Sequence, residues 1–192
     1  QQRCTLSELR DLLDVPAIAA RFGVAPEARE LLARWMAGAG IRWGLNAAQR
    51  ADLGLDACGD QNTAAFGLRR MLLGYAGGDA AFAGIEPHGE VGGLDAGLAG
   101  ALAGLLGQLE HWWLASASPA TPEGWAARAR ALLAGIAQPT DEADRQVLQA
   151  LDAALTRWQE ACAQAGFAAE VPLSVAREAW LDRPAPAPDA LA

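Results

Sequence analysis

From Leu6 onward the apolar residues of this chain return every three or four positions, and nowhere do they alternate with period two for long enough to make a sheet strand. That spacing predicts an all-α fold. Thr5-Leu-Ser-Glu8 carries the signature of a reciprocal N-terminal cap, with Leu9, Leu12 and Leu13 following at helical spacing. Val15-Pro16 interrupts this helix, because proline disfavours helix at the residue before it yet suits a new first turn. A second, short helix then runs to Phe22 and stops at Gly23. Pro26 opens a third, with the stripe Leu31, Leu32, Trp35 and Met36, ended by Gly38 and Gly40. Phe66, Met71, Leu72 and Tyr75 mark another that ends near Gly77-Gly78, and the glycine-rich stretch 77–93 is the least regular in the chain.

The segment 91–117 is the longest helix candidate. Leu94, Leu98, Leu102, Leu105, Leu109 and Trp112 form one line along it, and Gly93, Gly97, Gly100, Gly104 and Gly107 form a second. Glycine costs about 0.5–1 kcal/mol against alanine inside a helix, so the second line predicts close approach of a neighbouring helix. A transmembrane span is set aside. The stretch is only mildly apolar, Gln108 lies inside it, and Glu86, Glu90 and Glu110 flank it where basic residues would be expected. Thr121-Pro122 caps a further helix with the stripe Trp125, Ala129, Leu132, Leu133 and Ile136. Asp141-Glu142 starts the next, whose stripe Leu148, Leu151, Leu155, Trp158 and Cys162 covers two heptads and reads as an internal bundle helix. The last follows Pro172. The predicted organisation is one helical domain over 1–182 and a Pro/Ala-rich linker or tail over 183–192.

Composition narrows the chemistry. The 192 residues include 15 arginines and no lysine, which excludes a Walker-type phosphate loop, a Schiff base and a lysine general base. No cofactor is expected. The net charge of −8 opposes autonomous binding to a phosphate backbone. That charge is uneven: residues 1–75 hold nine arginines and eight acids, whereas 76–192 hold six and fifteen. Contact with DNA or an acidic partner would therefore fall to the first part, with Arg34, Arg42, Arg69 and Arg70. Cys4, Cys58 and Cys162 are odd in number, widely spaced and unrelated in spacing to His88 and His111, so idle thiols in a reducing compartment are expected, with no metal site. No secretory leader or initiator methionine begins the chain, which predicts a piece of something longer.

Glu86-Pro-His88-Gly-Glu90 is the one cluster with acid–base character, and solvated loop charges account for it more simply than a general base. His111-Trp112-Trp113 could suggest base stacking, but Trp112 falls on the leucine line. The seven tryptophans, spread about one per helix, read as core anchors.

Particular strings go further. Leu12-Leu-Asp-Val-Pro-Ala-Ile-Ala-Ala-Arg-Phe-Gly23, then Ala39-Gly-Ile-Arg-Trp-Gly44 after Trp35, then Phe66-Gly-Leu-Arg-Arg-Met-Leu-Leu-Gly-Tyr-Ala76, resemble the RecC family of exodeoxyribonuclease V (RecBCD helicase–nuclease) subunits. The likeness continues in order through Ile85-Glu-Pro, Thr121-Pro-Glu-Gly-Trp125 and Val171-Pro-Leu-Ser174. One departure is Ala64, where the family pattern places tryptophan. The resemblance implies an internal piece of a much longer cytoplasmic subunit, similar to the 2B subdomain of superfamily 1 helicases. It implies a non-catalytic part, since the family has a helicase-like fold without the ATPase residues. The implied partners are the remaining RecC domains, the RecB and RecD subunits, and DNA through the whole complex, with no membrane. The implied setting is double-strand-break repair and recombination, with strand guidance and Chi recognition belonging to the whole subunit. No functional residue is carried over; Arg42, Arg69 and Arg70 remain the candidates for DNA or subunit contact. The alternative is a stand-alone helical adaptor that takes a partner helix along the 148–162 seam.

Overall fold

Capping side chains set where several helices start. In the computed structural model, which describes residues 3–77 and 80–181, α1 (Leu6–Asp14) opens on Thr5. The Thr5 hydroxyl accepts from the Glu8 N–H at 3.3 Å, and the Glu8 carboxylate accepts from the Thr5 N–H at 2.7 Å. Pro16 begins α2 (Pro16–Arg21), and a 3-10 turn over Pro26–Ala28 leads into α3 (Arg29–Gly38). Asn46 caps the short α4 (Ala47–Asp52) by accepting from the Gln49 N–H at 2.9 Å. α5 (Ala64–Gly77), α6 (Gly97–Ser116), α7 (Pro122–Ile136), α8 (Glu142–Gln164) and α9 (Leu173–Leu181) complete the order. Asp141 caps α8 on the Asp144 N–H at 2.8 Å. Only two isolated bridges, Phe82 with Ile85 and Ala120 with Val171, break the helical pattern among the described residues. The tail expected over 183–192, and the domain limit at 182, lie outside those residues.

The longest helix is α8, with 23 residues against 20 for α6. The expected start of α6 near residue 91 is corrected by six residues. Gly92 is extended, Gly93 takes φ +66°, and a 3-10 turn over Gly93–Ala96 precedes the helix.

The described residues gather into two compact units, one within 3–111 with 135–140 and one of 112–134 with 141–181. In the first, α1 packs on α2 and α3, and α3 packs on α5. Leu9, Leu32, Met36, Ile41, Met71, Leu102 and Leu105 are fully buried there, each worth roughly 1.5–3 kcal/mol of transfer free energy. In the second, Trp125 is buried with Ala120 and Ala176, and Trp112, Trp158, Val171 and Leu173 pack around them. The rings of Trp112 and Trp125 meet edge to face at 6.5 Å. Trp125 also donates to the Val171 carbonyl at 2.7 Å. A neighbouring cluster of Ala126, Ala129 and Leu155 is covered by Trp180. The tryptophans are anchors as expected but not one per helix: Trp112 and Trp113 share α6, and Trp43 lies in a loop.

The leucine line of α6 is core, with Leu98, Leu102 and Leu105 buried. The glycine line is not a packing seam. Gly97, Gly100, Gly104 and Gly107 are exposed, and a Cβ added at Gly97, Gly100 or Gly107 meets nothing within 4 Å. At 100° per residue these glycines fall on the side of the helix opposite the leucines. Only Gly104 has a neighbour, the Phe22 ring at 3.1 Å. Gly100→Ala and Gly107→Ala are therefore expected each to raise stability by about 0.5–1 kcal/mol in urea unfolding, through the restricted unfolded chain. A loss from either would restore the seam.

Close backbone approach occurs at other glycines. A Cβ on Gly67 of α5 would overlap the Ile41 side chain, and one on Gly74 would overlap the carbonyl oxygen of His88. One on Gly38 of α3 would stand 2.6 Å from the His88 Cε1. These three positions hold the segments 39–45 and 86–90 against the helices.

Candidate functional site

The three candidate arginines anchor neighbouring segments while staying accessible: Arg42 and Arg69 are exposed and Arg70 is half-buried. The Arg42 Nη1 donates to the carbonyls of Ala37 at 3.2 Å and Ile41 at 3.1 Å. The Arg70 Nη1 donates to Ala39 O at 2.8 Å, and its Nε donates to Glu86 O at 2.8 Å. Both guanidinium groups thus converge on the C-terminal end of α3, where the negative pole of the helix favours cations. Arg69 is separate: it pairs with Asp60 and lies 5.7 Å from the Phe66 ring centroid. The structure therefore brings Arg42 and Arg70 together and aims Arg69 at the loop before α5. Arg34, on α3, is exposed.

The Glu86–His88–Glu90 cluster requires a correction. Glu86 and Glu90 are exposed, but His88 is only 8% exposed, not a solvated loop charge. Its ring sits under Gly38, its N–H donates to Arg70 O at 2.8 Å, and its carbonyl rests on Gly74. Nε2 has no hydrogen-bond partner, with the nearest Glu90 oxygen 4.0 Å away. The cause is non-local: Gly38 on α3 leaves room for the imidazole, and Gly74 on α5 leaves room for the His88 carbonyl.

Burial pushes the His88 pKa below its ordinary value; Glu90 opposes this and Arg70 adds to it. The unfolded chain then binds the proton at a higher pH than the folded one. The stability contributed by the buried neutral ring is complete above the unfolded value near 6.5 and is lost as pH falls below it toward the folded value. Urea midpoints measured from about pH 7.5 to 5 should fall more steeply for the native chain than for His88→Gln. Parallel curves would contradict a buried, neutral His88.

Arg50 carried no signal in the sequence, and it is 2% exposed. Its Nη1 donates to the carbonyls of Gly59 at 2.9 Å and Gln61 at 2.8 Å, with Cys58 O at 3.4 Å, and its Nη2 donates to Trp43 O at 2.7 Å. The guanidinium carbon stands 4.0 Å from the Trp43 ring centroid. Burial pushes its pKa down, a shift partly offset by Cys58. Arg50 therefore clasps the loop 58–61 to the segment at Trp43, and Gly44 (φ +83°) leaves room for its stem, since a Cβ there would be 2.7 Å from Nε.

Of the three thiols, Cys4 is held in its protonated form. Burial, helped by Glu8, pushes the Cys4 pKa up to about 12, which removes the thiolate needed for nucleophilic work. All three cysteines are unpaired with one another. Among the described residues no group of three His, Cys, Asp or Glu side chains is placed to hold a metal ion, and no helix is long and apolar enough to cross a membrane. The 148–162 seam is occupied from within: Leu155 is buried with Ala126 and Ala129, and Trp158 packs on the Trp125 cluster.

The family model described as the RecBCD enzyme subunit RecC fourth domain matches residues 1–188. RecBCD enzyme subunit RecC of Escherichia coli strain K12 is 37% identical over 177 residues, covering 90% of this chain and 15% of that protein. The RecC subunit of Mycobacterium tuberculosis H37Rv is 33% identical over 114 residues, covering 58% of this chain and 10% of its own length. That of Buchnera aphidicola subsp. Acyrthosiphon pisum is 34% identical over 107 residues, covering 55% and 10%. The chain thus spans about a tenth to a seventh of the length of these three relatives.

Proposed function

Since this chain belongs to the RecC family, as its fourth domain, we propose that it is a non-catalytic structural domain of the RecC subunit within the RecBCD helicase–nuclease. The proposed setting is double-strand-break repair and recombination in the cytoplasm, with strand guidance and Chi recognition exercised by the whole subunit. The proposed architecture is similar to the 2B subdomain of superfamily 1 helicases. The partners are the other RecC domains, RecB, RecD, and DNA through the complex.

The observation that carries the reading is the inward turn of the polar groups. Arg50, Arg42 and Arg70 donate to backbone carbonyls, and His88, the one candidate base, is enclosed between α3 and α5. Such bonds stiffen loops against helices, and Arg50 and His88, both buried, do not meet a substrate. A stiff body of this kind holds surfaces in fixed relation while other domains handle DNA. The occupied 148–162 seam weighs against the adaptor reading.

Arg42, Arg69 and Arg70 remain the proposed contacts with DNA or another subunit, and Arg69 is the one whose removal disturbs least of the interior. In the assembled complex, Arg69→Gln combined with Arg42→Gln and Arg70→Gln should weaken assembly or DNA affinity. For each phosphate that no longer meets a guanidinium, the salt dependence should flatten by a slope of about 0.9. Arg69→Gln alone controls for damage at the α3 end. Unchanged assembly and an unchanged salt slope in the triple variant would remove these residues from any interface.

A further inference from the structure

From Ala80 to Glu90, His88 is the one buried side chain; Ile85 and Pro87 are half-buried and the rest are exposed. The hold of residues 86–90 on the helices is correspondingly small. The imidazole lies under Gly38 of α3, and the His88 carbonyl rests on Gly74 of α5. The His88 N–H donates to Arg70 O at 2.8 Å, and Glu86 O accepts from Arg70 Nε at 2.8 Å. The sole buried anchor of the segment is thus a titratable ring. Segments held by few buried contacts open locally, at a free energy below that of global unfolding.

The ring fits its seat only while neutral. A neutral imidazole leaves one nitrogen without a proton, whereas the imidazolium carries N–H on both. Nε2 is enclosed and has no hydrogen-bond partner, and the nearest Glu90 oxygen is 4.0 Å away. On the imidazolium the Nε2–H would have no acceptor, and burying an unpaired charged donor is costly. The charged surroundings add to this. Arg70 reaches the segment from α5, Arg34 stands one turn before Gly38 on α3, and Arg42 lies on the Ala37 and Ile41 carbonyls at the end of that helix. Against these three cations stand Glu86 and Glu90, both exposed. Burial and Arg70 disfavour the charge on the ring, and Glu90 favours it.

We propose that residues 86–90 form a proton-released strap: protonation of His88 frees the segment from α3 and α5, and Arg70 Nε from Glu86 O, while both helices stay folded. The helices keep their own hold. Leu32 and Met36 of α3 and Met71 of α5 are fully buried, and Arg70 Nη1 retains Ala39 O at 2.8 Å. Acid therefore acts first at the strap and not evenly across the domain.

Hydrogen exchange of the full-length RecC subunit tests this, read by peptide mass spectrometry and corrected for the intrinsic pH dependence of amide exchange. Between about pH 7.5 and 5.5 the protection factor of the His88 amide should fall by about three- to tenfold. About tenfold is the ceiling for one group whose unfolded value is near 6.5. Peptides around Leu32 and Met36 should keep their protection. His88→Gln should abolish the fall, and Glu90→Gln, at an exposed position, should enlarge it. A fall of less than about twofold overturns the proposal, as does an equal fall in the α3 peptides or a fall that persists in His88→Gln. If His88→Gln leaves the strap open at both pH values, Glu90→Gln decides: a fall no larger than native contradicts the proposal.

Discussion

Arg50→Met should lower the unfolding free energy by about 3 kcal/mol, a fall in Tm of roughly 6–12 °C. Methionine nearly matches the arginine stem in length, so the loss isolates the donors. Four backbone carbonyls, of Trp43, Cys58, Gly59 and Gln61, face this one guanidinium. Hydrogen bonds from a charged donor contribute about 1.5–3 kcal/mol each, but the carbonyls at the exposed residues 58, 59 and 61 can regain water, which keeps the total well below the sum. Arg50→Lys keeps the charge and loses the planar fork, so it should recover less than half of the difference. Urea unfolding of the three proteins measures this. A change under about 0.5 kcal/mol for Arg50→Met, the size of an ordinary surface substitution, would mean that the clasp contributes nothing.

Gly74→Ala is the second large effect, expected at about 3 kcal/mol of destabilisation. The added methyl would overlap the carbonyl oxygen of His88, stand 2.6 Å from its carbonyl carbon, and lie 3.2 Å from the Gly89 nitrogen. All are backbone atoms, so no rotamer change relieves the clash. The segment must lift instead, breaking the 2.8 Å bond from the His88 N–H to Arg70 O and uncovering the imidazole. Urea unfolding gives the magnitude, and hydrogen exchange at the His88 amide gives the mechanism: protection there should disappear. A neutral outcome with retained protection would contradict the packing. The contrast with Gly100→Ala, the same substitution with the opposite sign, separates contact from helix propensity.

Much of the helical order was legible in the sequence because it depends on neighbours a few residues apart. Thr5 with Glu8, Pro16 after Val15, Thr121 before Pro122, and Asp141 before Glu142 each set a helix start through local hydrogen bonds or a preset φ. The leucine line of α6 was legible for the same reason. Its glycine line was misread because the spacing of small residues says that they share a stripe and not which side of the helix carries it. The wheel angle relative to Leu98, Leu102 and Leu105 decides that, and it places them outside. α4 was silent: six residues are too few for a period, and the Asn46 cap stands before Ala-Ala-Gln-Arg with no apolar stripe behind it. Arg50 and His88 lay beyond local reasoning altogether. Arg50 acquires its carbonyls only when 58–61 folds back, and His88 is enclosed by glycines 50 and 14 positions earlier in the chain. The one local trace of His88's seat was Gly74 in the interior of α5, a position that tolerates a close neighbour.

We propose that this domain contributes form and no chemistry. The DNA-unwinding rate per assembled complex tests it most directly, in a RecBCD complex whose RecC subunit carries either His88→Gln or Gly74→Ala, at about pH 7.5 where the native His88 is neutral. Gly74→Ala should reduce the amount of complex formed, while the rate of each complex that does form stays within about twofold of native for both variants. A fall of about a hundredfold in the rate per complex for His88→Gln, with assembly intact, is the size expected on losing a general base and would contradict the claim.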